Sequence, residues 1–201
     1  MLRLFGYNVD MNFEKDTYSQ ETFAKLVLTE ETIESIVFDE CEFNDCTFIG
    51  SKVEKCRLLN CKFEKCDLSN IVPMNSEFRE VKFTNCKTIG IDWTKAAKIK
   101  ELSFSACLVN YSNFRLLKLP KTVMKKCEVK DVDFIETDLK DSDFSGSDFE
   151  NSVFFKTDLS GVDFTRATNY TIDVNNNILK KTHFSLPEAL SLLSNLDIIV
   201  E

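Results

Sequence analysis

The chain has 201 residues and a formal net charge of −8, with eighteen Phe, eight Cys, five Gly, three Pro and one His. That length suits one domain or a continuous solenoid, and 43% apolar with 29% charged residues suits a folded chain. A single imidazole, His183, excludes His-cluster metal sites, the few glycines leave phosphate-cradling loops unsupplied, and the charge opposes broad contact with nucleic-acid phosphates. No apolar run approaches the roughly 18–20 residues of a membrane span. The N-terminus has no signal-peptide apolar region, so a cytoplasmic location with reduced thiols is expected.

Residues 1–20 contain Phe5, Tyr7, Val9 and Phe13 without regular spacing, and are expected to form an N-terminal cap. From Phe23 an apolar residue recurs every five positions through Phe38, Phe43, Phe63 and Phe83 to Trp93. After a one-residue slip within 94–98, expected to bulge as a small loop, the step resumes at Ile99 and runs through Phe104, Phe134 and Phe149 to Phe164. Five matches neither a helix nor a plain strand. All eight cysteines lie two residues before such a centre, a position otherwise held mostly by Ser, Val and Ile. Residues two apart on extended backbone share a face, so both positions point inward and each pentad is a short side followed by a bend.

Four sides per coil fit best. Residues twenty apart then stack, aligning Phe23, Phe43, Phe63, Phe83, Phe104, Phe144 and Phe164 with only Met124 interrupting, and aligning Cys46, Cys66, Cys86, Cys107 and Cys127. A three-sided coil scatters both columns. Twenty-nine pentads give about seven coils, roughly 35 Å tall at about 4.8 Å per rung. Beyond Phe164 the step weakens. Ser185 to Glu188 then reads as a capping box opening a helix over 186–196, with Leu186, Ala189, Leu190, Leu193 and Leu196 in one stripe. This segment caps the column or forms a dimer contact, and the apolar Leu190, Leu193, Leu196, Ile198, Ile199 and Val200 favour the dimer.

The cysteines read as small buried hydrophobes, since a linear stack offers zinc no tetrahedral set. No nucleophile elbow, P-loop or dinucleotide fingerprint appears, so neither catalysis nor a cofactor is expected. Charge is more informative. Between 131 and 165 lie eight Asp, two Glu and two Lys, a net of −8. Asp133, Asp138, Asp143, Asp148, Asp158 and Asp163 precede centres and line successive sides, while Asp131, Glu136, Asp141 and Glu150 take other outward or corner positions. Under two coils, about 8 Å of axis, carry this charge, a density that rivals duplex DNA at about one per 1.7 Å. The competing reading is that Asp simply hydrogen-bonds the corner backbone. Residues 115–130 carry a net of +5, from Arg115, Lys118, Lys121, Lys125, Lys126 and Lys130 against Glu128, and read as a solvated or partner-facing stripe.

Asp138-Leu139, Asp143-Phe144, Asp148-Phe149, Asp158-Leu159 and Asp163-Phe164, each following Thr, Ser or Val, resemble the pentapeptide-repeat pattern over residues 21–166. The resemblance implies an all-β solenoid, a right-handed four-sided β-helix, to which the sequence adds a short C-terminal α-helix within a cap over 167–201. The runs Phe38-Asp-Glu-Cys-Glu-Phe43 and Phe43-Asn-Asp-Cys-Thr-Phe48, Gly90-Ile-Asp-Trp-Thr94 and Phe184-Ser-Leu-Pro-Glu-Ala189 are further similar to the subgroup that binds bacterial type II topoisomerases, which includes the albicidin-resistance, microcin B17 immunity and Qnr proteins. That likeness implies a rod-like homodimer joined at its C-termini, shaped and charged like a DNA segment. Its partner would be DNA gyrase, with topoisomerase IV as a second target, and its effect protection from a poison such as albicidin or a quinolone. The alternative is a non-enzymatic interaction scaffold or effector with no topoisomerase target.

Overall fold

The computed structural model describes residues 2–4, 13–196 and 198, and in it the five-residue step becomes a four-walled column. Most three-residue strands bury only their middle side chain, as in Thr22–Ala24 around Phe23 and Glu42–Asn44 around Phe43, while Arg57–Leu59 also buries Leu59. Each strand pairs in parallel with the one twenty residues on, Phe23 with Phe43 and Phe43 with Phe63, or twenty-one across the slip, Phe83 with Phe104.

The first wall stacks Thr17–Ser19, Val37–Asp39, Arg57–Leu59, Glu77–Arg79 and Lys98–Lys100, with the bridges Lys118–Asp138–Asp158–Ile178 further along. The second runs from Leu2–Leu4 through Val123–Lys125 and continues as Val123–Asp143–Asp163–His183. The third consists of single bridges from Val27 through Asp67 and Glu128 to Asp148 and Thr168. The fourth holds Thr32–Glu34, Lys52–Glu54 and the bridges Asp92–Asn113–Asp133–Val153. Pairing thus extends past both ends of the 21–166 repeat.

The interior is the two inward columns of each wall. Phe23, Phe43, Phe63, Phe83 and Phe104 stack with centroids 4.6–5.2 Å apart and planes within 20°. Trp93, Phe114, Phe134 and Phe154 form a second stack at 5.1–5.9 Å. All eight cysteines are buried and unbridged. Their thiols donate to backbone carbonyls, as Cys61 Sγ does to Phe38 O at 3.4 Å, and Ser and Thr do the same, as Ser147 Oγ does to Met124 O at 2.7 Å. A small donor with a carbonyl beneath it is what this position requires, so Cys and Ser interchange there. Burial pushes the Cys61 thiol up to about 12 and raises Cys41 and Cys56, which leaves these sulfurs as unreactive thiols.

Corners explain the glycine shortage. Two residues after nearly every centre the backbone is left-handed, and apart from Gly50, Gly90, Gly146 and Gly161 the occupants carry side chains, among them Glu40, Lys65, Asn85 and Asp141. That conformation costs a non-glycine residue roughly 1–2 kcal/mol, less for Asn and Asp. The cost is offset by burying two side chains per pentad. Leu116 is the least suited occupant, at φ 62 and 69% exposed. Leu116→Asn is expected to raise stability by about 0.5–1 kcal/mol, a gain of about 1–4 °C in Tm. An unchanged or lowered Tm in a thermal melt would contradict this account of the corner.

The slip and the C-terminus depart from regular coiling. At the slip, Trp93–Lys95 forms a 3₁₀ turn capped by the Asp92 carboxylate, which accepts from Thr94 N, while Trp93 stays buried. Ala97 N and Lys98 N both point at Ser76 O, at 2.9 and 3.4 Å, so one coil absorbs the extra residue as a bulge. The predicted α-helix over 186–196 is instead a 3₁₀ helix over Glu188–Asn195, and Ser185 does not cap it. The Ser185 hydroxyl is taken by Arg166 N–H at 2.8 Å, which ties the segment to the last regular coil and removes the capping box. Leu192 packs on the core.

Candidate functional site

The acidic segment 131–165 is built from the corner outward. Asp133, Asp138, Asp143, Asp148, Asp158 and Asp163 each accept, through Oδ1, the backbone N–H two residues on, at 2.8–3.2 Å. This Asx turn orients the corner and fixes the carboxylate against the wall, with its second oxygen left for partners other than that N–H. The corner-binding reading of these residues therefore holds, while the carboxylates stay on the surface.

Their placement is a belt. Asp138 and Asp158 stack on the first wall, Asp143 and Asp163 on the second, Asp148 lies on the third and Asp133 on the fourth. Asp131, Glu136 and Asp141 occupy three successive left-handed corners between them. Glu150 follows Phe149 on the third wall. All ten predicted acidic residues surround one stretch of the column.

The basic stripe of 115–130 sits one rung away and reaches across. Lys125 Nζ lies 2.6 Å from Asp143 Oδ2, Arg115 3.2 Å from Asp133, and Lys130 3.0 and 2.9 Å from Asp148 and Glu150. Within the segment Lys140 bridges Asp158 and Asp138 at 3.0 and 3.9 Å, and Lys156 lies 3.9 Å from Glu136. Sequence reasoning missed this pairing, although the signal was present as Lys or Arg eighteen or twenty residues before an acid. Partial desolvation raises the Asp143 carboxyl, but Lys125 and the Ser145 hydroxyl and N–H outweigh it and hold the group below its ordinary value. Asp148 and Asp158 are lowered in the same way, with Asn169 and Lys130, and Ser160 and Lys140, outweighing desolvation.

Five cations against ten carboxylates leave a net of five charges over about 8 Å of axis, or roughly one per 1.6 Å, still near the density of duplex DNA. Exposed ion pairs of this kind contribute only about 0–1 kcal/mol each. The lysines are half-exposed, Lys140 at 49% and Lys156 at 62%, so an incoming cationic surface displaces them at little cost.

The other candidate surface is the C-terminal end. A 3₁₀ helix eclipses residues three apart, so Leu190, Leu193 and Leu196 share a face. Leu190 is 55% exposed, Leu193 half-buried, and Ile198 exposed, while Ile199 and Val200 lie outside the described residues. Leu186 and Ile178, outside the predicted contact set, are also exposed, at 77% and 55%. Among the described residues no group of His, Cys, Asp or Glu is arranged to hold a metal ion, and no helix is long and apolar enough to cross a membrane.

Comparison with known proteins places this architecture. A profile described as a pentapeptide repeat region matches residues 36–114, and one described as pentapeptide repeats (8 copies) matches 133–168, together more than half of the chain. Among solved structures, a trypsin-treated variant of QnrB1, a plasmid-mediated fluoroquinolone resistance protein, superposes with a TM-score of 0.69 at 19% identity, covering 90% of this chain and 100% of that one. A second trypsin-treated variant gives 0.68 at 21% identity over 92% and 98%. Full-length QnrB1 gives 0.59 at 21% over 90% and 100%. No curated protein sequence matches the chain.

Proposed function

The chain belongs to the pentapeptide-repeat family, and we propose that it is a DNA-mimicking member that binds bacterial DNA gyrase and protects it from a topoisomerase poison. The observation that carries this reading is the belt of ten carboxylates on every wall of the column between 131 and 165, whose net charge stays near that of duplex DNA after internal pairing. A surface that binds DNA through Lys and Arg meets the same spacing of negative charge here. The fold likeness to QnrB1 supports the reading without fixing the target.

The second element is a homodimer in the cytoplasm. Leu190, Leu193, Leu196 and Ile198 form its contact. Joining two columns at that end brings both acidic belts toward the centre of a longer rod. Loss of this apolar exposure is the driving force, and the Leu190→Glu chain is expected to run as a monomer in light-scattering chromatography where the parent runs as a dimer.

A scaffold or effector without a topoisomerase target is the second reading, favoured by one observation: six of the acids already serve the corner backbone. Supercoiling by purified gyrase decides between them. With albicidin, microcin B17 or ciprofloxacin present, adding the protein is expected to restore supercoiling for at least one poison. Neither rescue nor inhibition at micromolar protein would remove the gyrase reading, and the same assay with topoisomerase IV decatenation reports the second enzyme.

A further inference from the structure

One corner of the column carries cations that the acidic belt does not use. Between the second and third walls, three successive rungs place Lys126, Gly146 and Arg166 one above another, all left-handed at φ 52, 70 and 58. Gly146 has no side chain, so the ridge is notched between two cations. The notch is a groove of about 580 Å³ lined by Lys125, Lys126, Ser145, Gly146 and Arg166. A Cβ at Gly146 would lie 3.6 Å from Lys126 Cγ, so any longer side chain there fills the gap.

The charges around it are accounted for one by one. Lys125 is held on Asp143 at 2.6 Å and forms a neutral pair. Asp163 accepts Thr165 N–H at 2.8 Å, Asp148 on the third wall is paired with Lys130 at 3.0 Å, and Glu128, two residues after Lys126, lies on that same wall one rung below Asp148. Ser145 gives its hydroxyl hydrogen to Asp143 at 2.7 Å. The Lys126 and Arg166 side chains form no ion pair among the described residues. The Arg166 backbone is pinned by the Ser185 hydroxyl at 2.8 Å. Two cations without an ion pair of their own therefore stand two rungs apart, roughly 10 Å between backbones, and the Lys126 side chain rises along the rung that Gly146 leaves bare.

We propose that this notch binds one phosphate group, of the phosphate-monoester class. A guanidinium fork takes two phosphate oxygens side by side, and a third oxygen then faces the Lys126 ammonium. A carboxylate has no third oxygen and leaves Lys126 unengaged. A continuous phosphate track is excluded because the acidic belt begins beside the groove, within about a Debye length of 8–10 Å. The site therefore takes an isolated phosphate. It is independent of gyrase binding.

Titration of the full chain with inorganic phosphate at constant ionic strength, followed by amide NMR, tests this. A saturable shift of the Gly146 amide is expected, with a Kd of about a millimolar. Lys126→Gln is expected to weaken binding by roughly tenfold, the loss of one charge-assisted hydrogen bond, and Arg166→Gln, which loses the two bonds of the fork, by at least as much. Gly146→Asn, which tolerates the left-handed corner and fills the notch, is expected to abolish it, and Lys118→Gln on the first wall to leave it unchanged. Phosphoserine and a mononucleotide separate the two monoester sources. No saturable shift, equal binding of acetate, equal binding of duplex DNA, or an unchanged Kd in folded Lys126→Gln would each overturn the proposal.

Discussion

Phe134→Ala is expected to cost about 4 kcal/mol, within the 3–5 kcal/mol range for truncating a buried aromatic. Phe134 is fully buried and lies in parallel stacks at 5.4 Å on Phe114 and 5.1 Å on Phe154, with Phe144 and Phe149 also against it. Each stacked pair adds about 0.5–1.5 kcal/mol beyond area burial, and both are lost together. The coil there is filled by one inward centre per wall, Phe134, Leu139, Phe144 and Phe149, so no further layer collapses into the space. Neighbouring coils contact only one another, and a weak rung in the middle is expected to separate the unfolding of the two halves. Urea denaturation should show a lowered midpoint and a broader or two-step transition. Phe155→Ala, one residue after the stacked Phe154 but outward and 39% exposed, is expected to cost less than about 1 kcal/mol. A similar small loss at Phe134 would mean that the ring stack is not the core of this fold.

The column was legible in the sequence because its unit is short and local. An inward residue, an inward residue two before it and a bend recur at a fixed count, so Phe23 to Phe104 and Cys46 to Cys127 declared both the period and the four walls. The excess of Cys was legible for the same reason, since the position needs a small side chain that reaches a carbonyl. The C-terminal helix was misread because its outcome is not local. Ser185 and Glu188 have the spacing of a capping box, but Arg166 N–H, nineteen residues away, captures the Ser185 hydroxyl first. The ion pairs from Arg115, Lys125 and Lys130 into the acidic coils were likewise invisible to a reading that summed charge by segment, because they cross coils rather than run along the chain.

That crossing changes how the acidic belt is to be tested. Asp143, Asp148 and Asp158 each combine three roles, an Asx acceptor, an ion-pair partner and a surface charge, so truncating them confounds structure with recognition. Asparagine separates the roles, because its Oδ1 still accepts the N–H two residues on while the charge is gone. The triple variant Asp143→Asn, Asp148→Asn, Asp158→Asn loses three exposed ion pairs worth about 0–1 kcal/mol each and gains relief from repulsion among the remaining carboxylates. Its Tm is expected to stay within a few degrees of the parent. The corresponding Ala variant also removes three side-chain acceptors of backbone N–H groups, at about 1 kcal/mol each, and is expected to melt measurably lower. Gyrase protection should follow charge instead. The Asn variant is expected to need on the order of tenfold or more protein for the same rescue of supercoiling, and the parent's protection should weaken as salt is raised. If the Asn variant protects as well as the parent, these acids serve only the corners, and the belt is a feature of folding rather than of recognition.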